Sequence, residues 1–194
     1  MERDRFRTRT GFIIACIGSA VGMGNIWRFP IMVSKYGGMT FFVVYILFVI
    51  LIASSGMHVV VVSNMIDILQ ILAANPSITA IGTGGTMYRS VNGFMGAAAI
   101  EVIKQYSFDR AFLGSCGVDM TDFAVTTSGV EDGLTKKAAV QSSRHKYVVM
   151  EREKFYFNES YKYTHFDDIS GIITDEFPDD TIVNILRNTG VKLL

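Results

Sequence analysis

Cysteine and histidine are scarce in this chain of 194 residues, which holds two cysteines and three histidines. Two cysteines as far apart as Cys16 and Cys116 form neither a paired zinc-ligand motif nor the disulfide framework of a small secreted protein. We therefore expect a reducing compartment and no bound metal. The histidines are scattered, and we assign ordinary structural roles to all of them: His58, His145 and His165.

Charged residues are nearly absent between Gly11 and Met57, where only Arg28 and Lys35 occur. Residues 57–194 have no excess of basic residues, because their twelve basic and sixteen acidic side chains give a net charge of −4. Nucleic-acid binding depends on Lys and Arg that neutralise phosphates. We therefore expect no direct nucleic-acid contact from this chain, and we divide it into two regions, residues 1–56 and 57–194.

The apolar N-terminal region contains two runs, about residues 11–26 and 39–53, separated by a polar interruption. Each run approaches the roughly 20 residues that a helix needs to cross a bilayer. The pattern predicts an α-helical hairpin that attaches residues 11–56 to a membrane. Four arginines precede the first run. The positive-inside rule then predicts a cytoplasmic N-terminus and, after two crossings, a cytoplasmic location for residues 57–194.

Residues 6–53 resemble the start of the sodium:neurotransmitter symporter family through Gly11-Phe12-Ile13, the segment GSAVGMGNIWRFP at 18–30, and Tyr36-Gly37-Gly38. The resemblance implies a broken first helix whose backbone and small residues coordinate sodium and substrate. Because helices from the rest of that fold close such sites, and the pattern stops near Ala53, we do not expect transport. The implied sodium-site positions are Gly18, Ala20, Val21 and Asn25, the substrate-site positions are Ser19, Met23 and Gly24, and the gate position is Arg28.

Short β-branched runs alternate with amphipathic helical stretches from Met57 onwards. This alternation predicts an α/β fold with a mostly parallel sheet that is covered on both faces by helices. Asp179 and Gly190 are placed to begin and end the last helix. The predicted strands are 57–63, 78–82, 108–114, 147–150, 169–174 and 191–194, and the predicted helices are 65–74, 94–106, 130–143 and 179–188.

Small and polar residues follow the first three predicted strands, at Ser63-Asn64, at 82–86 and at 114–119. Ligands bind beyond the carboxyl ends of parallel strands, where backbone amides and helix N-termini attract anions. Phosphate is therefore the expected ligand. For any single glycine cluster, a turn that needs positive φ is an alternative explanation.

Charged residues near the third predicted helix form a second group, and Thr126-Thr127 precedes that helix. Asp132 and Lys136 are spaced for an i,i+4 pair. Two interpretations stay open for this pair, a solvated pair on the helix surface or part of a ligand site beyond the strand edge. The whole group is Asp119, Glu131, Asp132, Lys136, Lys137 and Lys154.

Several motifs in residues 57–194 resemble the C-terminal effector domain of DeoR-family transcription regulators: VVVSN at 60–64, IGTGG at 81–85, FDRAFLG at 108–114, GVD at 117–119, TT at 126–127, EDGLTKK at 131–137 and KF at 154–155. That family senses phosphorylated sugars, and its fold is similar to ribose-5-phosphate isomerase and glucosamine-phosphate deaminase. Lysines and backbone amides would bind the phosphate, and carboxylates and the amide of Asn64 would bind hydroxyls. The resemblance implies an effector pocket of Asn64, Gly84, Gly85, Gly114, Gly117, Asp119, Glu131, Lys136 and Lys154.

The sequence departs from this family in three ways. The winged helix-turn-helix is missing, the first strand with its Gly-Thr-Thr-rich phosphate loop is missing, and Cys116 stands where the family often has a smaller residue. We therefore expect a sheet that is incomplete at its start. Both resemblances break near Ala53 to Gly56, which suggests that two unrelated coding regions are joined there.

The expected function is the effector-binding part of a DeoR-type repressor of carbohydrate metabolism, with a phosphorylated sugar as partner, no cofactor and no catalysis. One alternative is a fragment of a sodium-dependent symporter. A second is a sugar-phosphate isomerase-like enzyme with Asp119 or Glu131 as the base and Lys136 as electrostatic support. The oligomeric state stays open, with a homo-oligomer as one alternative.

Overall fold

The computed structural model describes residues 59–73, 76 and 78–194. The predicted membrane hairpin lies outside the described residues, and so do its sodium-site positions Gly18, Ala20, Val21 and Asn25. Among the described residues, no helix combines the length and the apolar character that a membrane crossing requires.

Strands and helices alternate along most of the described part of the chain. Two short 3-10 helices, Arg152–Tyr156 and Phe166–Asp168, precede and follow the ninth strand. In chain order the strands and α-helices are β1 Val59–Ser63, α1 Ile66–Ala73, β2 Ile78–Gly82, β3 Thr86–Tyr88, β4 Gly93–Met95, α2 Ala97–Lys104, β5 Phe108–Gly114, β6 Gly117–Asp119, β7 Ala124–Thr127, α3 Val130–Gln141, β8 Ser143–Val149, β9 Tyr161–His165, β10 Gly171–Ile173, α4 Asp180–Asn188 and β11 Lys192–Leu193.

The parallel strands lie in two separate sheets. One sheet holds β1 and β2, paired in parallel from Val59 opposite Ile78 to Ser63 opposite Gly82. The other has the order β11-β10-β8-β5, and all its pairs are parallel. The prediction of an α/β fold with a mainly parallel central sheet is therefore confirmed.

The largest hydrophobic core lies around the four-stranded sheet. Four of its β-branched members stand on strands, where they fit the pleated surface: Val118, Val125, Val148 and Ile172. Ile182 and Leu186 place one face of α4 against this core. Asp179 caps α4 by accepting a hydrogen bond from the backbone N–H of Ile182, as the sequence predicted. The buried core residues are Leu113, Val118, Val125, Val140, Val148, Met150, Phe155, Tyr163, Phe166, Ile169, Ile172, Ile182, Leu186 and Val191.

Two predicted helix boundaries are wrong because a strand pairs there. The helix predicted from residue 94 begins at Ala97, since residues 93–95 form β4 and pair antiparallel with β3. The helix predicted to end at residue 143 ends at Gln141, and β8 begins at Ser143 opposite Phe108 of β5. Pairing between strands overrides local helix propensity at both places.

An antiparallel sheet of β6, β7 and β9 was not predicted. All four residues of β7 are buried, so its sequence shows none of the polar alternation that marks a half-exposed strand. The register between β7 and β9 shifts between Val125 and Thr126, and Tyr163 of β9 has no direct partner there. This sheet brings β9 beside the start of α3.

Candidate functional site

A hydrogen-bonded group of side chains lies where α3 begins. The Asp132 carboxylate oxygen Oδ2 accepts hydrogen bonds from Thr127 Oγ1 at 2.6 Å and from Lys136 Nζ at 2.5 Å. Cys116 Sγ lies 3.5 Å from Thr127 Oγ1. Lys136 Nζ also lies 5.6 Å from the centre of the Tyr163 ring, within the range of a cation–π interaction. We call Cys116, Thr127, Asp132, Lys136 and Tyr163 the Asp132 cluster.

The Asp132–Lys136 pair is largely shielded from water. The Asp132 side chain is 18% exposed and that of Lys136 is 19% exposed. The pair between Glu101 and Lys104 on α2 has side chains that are 71% and 55% exposed. Exposed pairs of that second kind contribute little to stability. The interpretation of Asp132 and Lys136 as a solvated surface pair is therefore wrong, and the pair belongs to a partly enclosed polar site.

The hydroxyl and phenol groups of the cluster have defined donor roles. Because Thr127 gives its single hydroxyl proton to Asp132, the thiol of Cys116 is the donor in the contact between these two side chains. The Tyr163 hydroxyl donates to the carbonyl oxygen of Gly114 at 3.1 Å. Burial raises the pKa of the Tyr163 phenol, and the charge of Asp132 adds to that effect. Tyr163 is therefore a neutral donor.

The secondary structure explains how these residues meet. Gly114 ends β5, Cys116 follows it, and Thr127 ends β7. Asp132 and Lys136 lie four residues apart on α3, so they share one face of that helix. The site therefore lies beyond the carboxyl end of a parallel strand and beside a helix N-terminus, where α/β sheets bind ligands.

The glycine loop after β2 packs against the start of α2. Gly84 and Gly85 have φ of 61° and 106°, a left-handed region that side chains rarely adopt. A Cβ atom at Gly85 would lie 3.1 Å from the carbonyl oxygen of Met95 and 3.2 Å from the backbone nitrogen of Ala99. The absence of a side chain at Gly85 therefore lets the loop approach the first turn of α2.

The N-termini of α2 and α3 lie close together and have no side-chain caps. Their N-cap residues, Gly96 and Gly129, form no side-chain hydrogen bond, unlike Asp179 at α4. A Cβ atom at Gly96 would lie 3.6 Å from Glu131 Oε2, so a carboxylate of α3 reaches the start of α2. Uncapped helix N-termini present N–H groups and a partial positive charge, which favour anions.

The predicted effector residues fall into two groups. Gly85, which follows Gly84, packs against the start of α2, and the carboxylate of Glu131 reaches the same place from α3. Asn64 bonds to Phe94 of β4, and Gly114 and Lys136 both contact Tyr163. The remaining predicted residues, Gly117, Asp119 and Lys154, lie on β6 and on the 3-10 helix at 152–156.

Asn64 and Gly117 have evident structural roles. The side-chain amide of Asn64 donates to the carbonyl oxygen of Phe94 at 3.0 Å, and the backbone carbonyl of Asn64 accepts from the backbone N–H of Phe94. This contact holds β4 beside the end of β1. A Cβ atom at Gly117 would overlap the backbone carbonyl of Phe157.

The carboxylate of Asp119 is occupied by groups of the protein itself. Its Oδ1 accepts from the backbone N–H of Thr121 at 2.9 Å and of Asp122 at 3.1 Å, and its Oδ2 lies 2.8 Å from Lys162 Nζ. The Lys162 ammonium, followed by the backbone N–H of Asp122, holds the pKa of Asp119 well below its usual range. Both oxygens of the Asp119 carboxylate, at the end of β6, therefore already have partners within the protein.

Sequence reasoning noted Cys116, Thr127 and Asp132 but did not include them in the effector pocket, and it missed Tyr163 and Lys162. The last two lie on β9, a strand that was not predicted. The i,i+4 spacing was the available signal for Asp132. Within residues 59–73 and 78–194, no group of His, Cys, Asp and Glu side chains is arranged to hold a metal ion.

Two family models match the chain. The DeoR C-terminal sensor domain matches residues 46–176, and the sodium:neurotransmitter symporter family matches residues 3–66. The two matches overlap at 46–66. Both resemblances found in the sequence are thus confirmed.

Individual relatives agree with the family models. The chain is 25% identical to the HTH-type transcriptional repressor GlcR of Bacillus subtilis over 69% of its own length and 51% of the repressor. It is 24% identical to the glycerol-3-phosphate regulon repressor of Escherichia coli, over 69% of its length and 52% of the repressor. An uncharacterized sodium-dependent transporter of Methanocaldococcus jannaschii is 52% identical over 24% of the chain and 9% of the transporter.

The chain spans about half the length of the repressors that it matches. The sensor-domain match includes β1 to β10 and every member of the Asp132 cluster. The chain belongs to the DeoR C-terminal sensor domain family.

Proposed function

We propose that residues 57–194 bind a phosphorylated sugar or polyol, as the effector-sensing part of a DeoR-type repressor of carbohydrate metabolism, and release it unchanged. Family membership supports a sensor rather than an enzyme. Two of the relatives are transcriptional repressors, and one of these is named for the glycerol-3-phosphate regulon. A sensor of this kind needs selective binding and no chemical step.

The observation that carries the proposal is the largely shielded Lys136 ammonium, paired with Asp132 in the first turn of α3, together with the uncapped N-termini of α2 and α3. An ammonium group has three donors, and the Asp132 carboxylate takes one of them. The others can donate to phosphate oxygens. Backbone N–H groups at the start of α2 and in the Gly84-Gly85 loop add further donors for an anion.

The proposed binding surface uses five of the predicted effector residues. Lys136, Gly84 and Gly85 face the phosphate, and Glu131 accepts hydrogen bonds from hydroxyl groups at the start of α2. Gly114 closes the surface at the end of β5, where its carbonyl oxygen holds the hydroxyl of Tyr163. Ligand contacts by Asn64, Gly117, Asp119 and Lys154 stay predictions.

The isomerase alternative requires a carboxylate that can accept a proton from a sugar carbon. The pKa of Asp119 is held well below its usual range, and both of its oxygens already accept hydrogen bonds or pair with Lys162. Such a carboxylate is a weak base. Glu131 is exposed to solvent on the first turn of α3. These environments support binding rather than proton transfer.

Calorimetric titration of the full chain, purified in a mild detergent, tests the proposal. We expect saturable heats with at least one of glycerol 3-phosphate, fructose 1-phosphate and glucose 6-phosphate, and none with the unphosphorylated compounds. Lys136→Met should weaken binding by about tenfold or more, because a hydrogen bond to a charged group is lost. Lys104→Met is the control, since Lys104 forms the exposed pair with Glu101 on α2.

Each outcome has a clear meaning. Flat heats across the panel would refute sensing of these phosphates. Conversion of any panel member to another sugar phosphate would favour the isomerase alternative. Equal losses in Lys136→Met and Lys104→Met would show that net charge, rather than this site, determines the affinity.

We propose in addition that residues 11–56 attach the sensor domain to a membrane, with residues 57–194 on the cytoplasmic side. The match of residues 3–66 to the symporter family supports this attachment. The test is fractionation of cells that express the chain. Recovery of the chain in the soluble fraction without detergent would refute the attachment, and sodium-dependent uptake would favour the symporter alternative.

A further inference from the structure

The two hydrogen bonds of the Asp132 carboxylate fall on a single oxygen. Thr127 Oγ1 and Lys136 Nζ both donate to Oδ2. Within the part of the chain that the structure describes, Oδ1 accepts no hydrogen bond. An ionised carboxylate offers about four acceptor positions, two on each oxygen. Asp132 therefore keeps an acceptor oxygen unused although its side chain is only 18% exposed.

The unused oxygen lies beside the ammonium group that the proposed function assigns to the phosphate. Asp132 Oδ2 and Lys136 Nζ lie 2.5 Å apart, so the unused acceptor and the remaining donors of Lys136 belong to one ion pair. The hydroxyl of Thr127, which is almost fully buried, donates to the same oxygen and helps to orient the carboxylate. A ligand that uses both groups needs a hydroxyl donor within a few bonds of its phosphate oxygens.

We infer that Asp132 is a specificity-determining residue whose Oδ1 accepts a hydroxyl next to the phosphate-bearing carbon, so that the site selects β-hydroxy phosphate esters. The inference rests on the proposed function. Glycerol 3-phosphate has this arrangement, whereas propyl phosphate has the same carbon chain and ester without any hydroxyl. Inorganic phosphate has no hydroxyl on a neighbouring carbon.

Two variants separate hydroxyl selection from phosphate binding. Asp132→Ala removes the acceptor. Asp132→Asn keeps the shape of the side chain, but Thr127 and Lys136 use its single oxygen, so no acceptor is left for a ligand hydroxyl. Both also remove the negative charge beside Lys136. Glu101→Ala is the matched control, because Glu101 is a helix carboxylate paired with a lysine in an exposed position.

The experiment is calorimetric titration of the full chain with glycerol 3-phosphate, propyl phosphate and inorganic phosphate. The unchanged chain and Glu101→Ala should prefer glycerol 3-phosphate over propyl phosphate by roughly tenfold or more, the effect of one charge-assisted hydrogen bond. Both Asp132 variants should lose this preference. They should also bind inorganic phosphate at least as tightly as the unchanged chain does.

The outcomes distinguish this inference from the proposed function. A preference that survives in both Asp132 variants, or that is absent in the unchanged chain, overturns the inference but leaves phosphate binding intact. No heat with any of the three probes overturns the proposed function for this ligand class and the inference with it. If Asp132→Ala fails to fold, the nearly isosteric Asp132→Asn decides.

Discussion

Gly117→Ala tests whether Gly117 is present for packing rather than for ligand binding. A methyl group at this position would overlap the backbone carbonyl of Phe157. That carbonyl cannot move freely, because its oxygen accepts from the backbone N–H of Val118 at 2.8 Å. The added carbon therefore has to displace a bonded segment. Forced packing of this kind costs about 1 to 3 kcal/mol of the free energy of unfolding.

Gly114→Ala is the matched control three positions earlier in the same segment. A Cβ atom at Gly114 would have no atom within 4 Å, and this glycine does not have a positive φ. Replacing glycine by alanine at such a position stabilises a protein by about 0.4 to 1 kcal/mol, because the unfolded chain loses conformational freedom. The two variants should therefore differ by roughly 1.4 to 4 kcal/mol, with opposite signs relative to the unchanged chain.

Denaturant unfolding followed by far-ultraviolet circular dichroism measures this difference. We expect a lower midpoint for Gly117→Ala and an equal or higher midpoint for Gly114→Ala, with similar slopes for both. A loss of about 2 kcal/mol corresponds to a fall in Tm of several degrees for a domain of this size. If Gly117→Ala were as stable as Gly114→Ala, the close approach of the Phe157 carbonyl would be refuted.

Three further predictions concern residues around the site. Lys162 holds the folded-state pKa of Asp119 below the value of about 3.9 in an unfolded chain. The ionised carboxylate therefore stabilises the fold above about pH 4, and this contribution is lost as the pH falls. The denaturant midpoints of the unchanged chain and Asp119→Asn should approach each other as the pH falls below about 4. A constant difference would refute this. Tyr163→Phe should cost about 1 kcal/mol, seen as a lower midpoint, because the Gly114 carbonyl loses its donor; unchanged stability would contradict it. Since burial raises the pKa of Tyr163, Tyr163→Phe should leave the phenolate absorbance of the folded chain near pH 10 unchanged. A lower absorbance in the variant would refute the burial.

Strongly patterned segments were predicted well from the sequence. The strands at 78–82 and 108–114 agree with the structure at both ends, and the helix at 130–143 differs only at its C-terminus. In each of these three segments, a few consecutive residues suffice to show the hydrophobic pattern or the residue that begins the element. The short strands β3, β4, β6 and β7 were missed because three or four residues are too few to show a period.

Only some features of the candidate site could be predicted from the sequence. The i,i+4 spacing of Asp132 and Lys136 identified the pair, since residues four apart share one helix face. Spacing could not indicate that the pair is shielded from solvent. The shielding depends on Thr127 and Tyr163, which the antiparallel sheet brings to the start of α3.

The sequence alone determined the family, the alternation of strands and helices, and the glycines and charges that follow the strands, because all of these depend on residue type and short-range order. The tertiary structure decided which of those residues act together. The Tyr163 hydroxyl meets the Gly114 carbonyl across 49 positions of the chain, and Asn64 meets Phe94 across 30. Contacts over such separations follow from sheet pairing and close packing, and no local pattern specifies them.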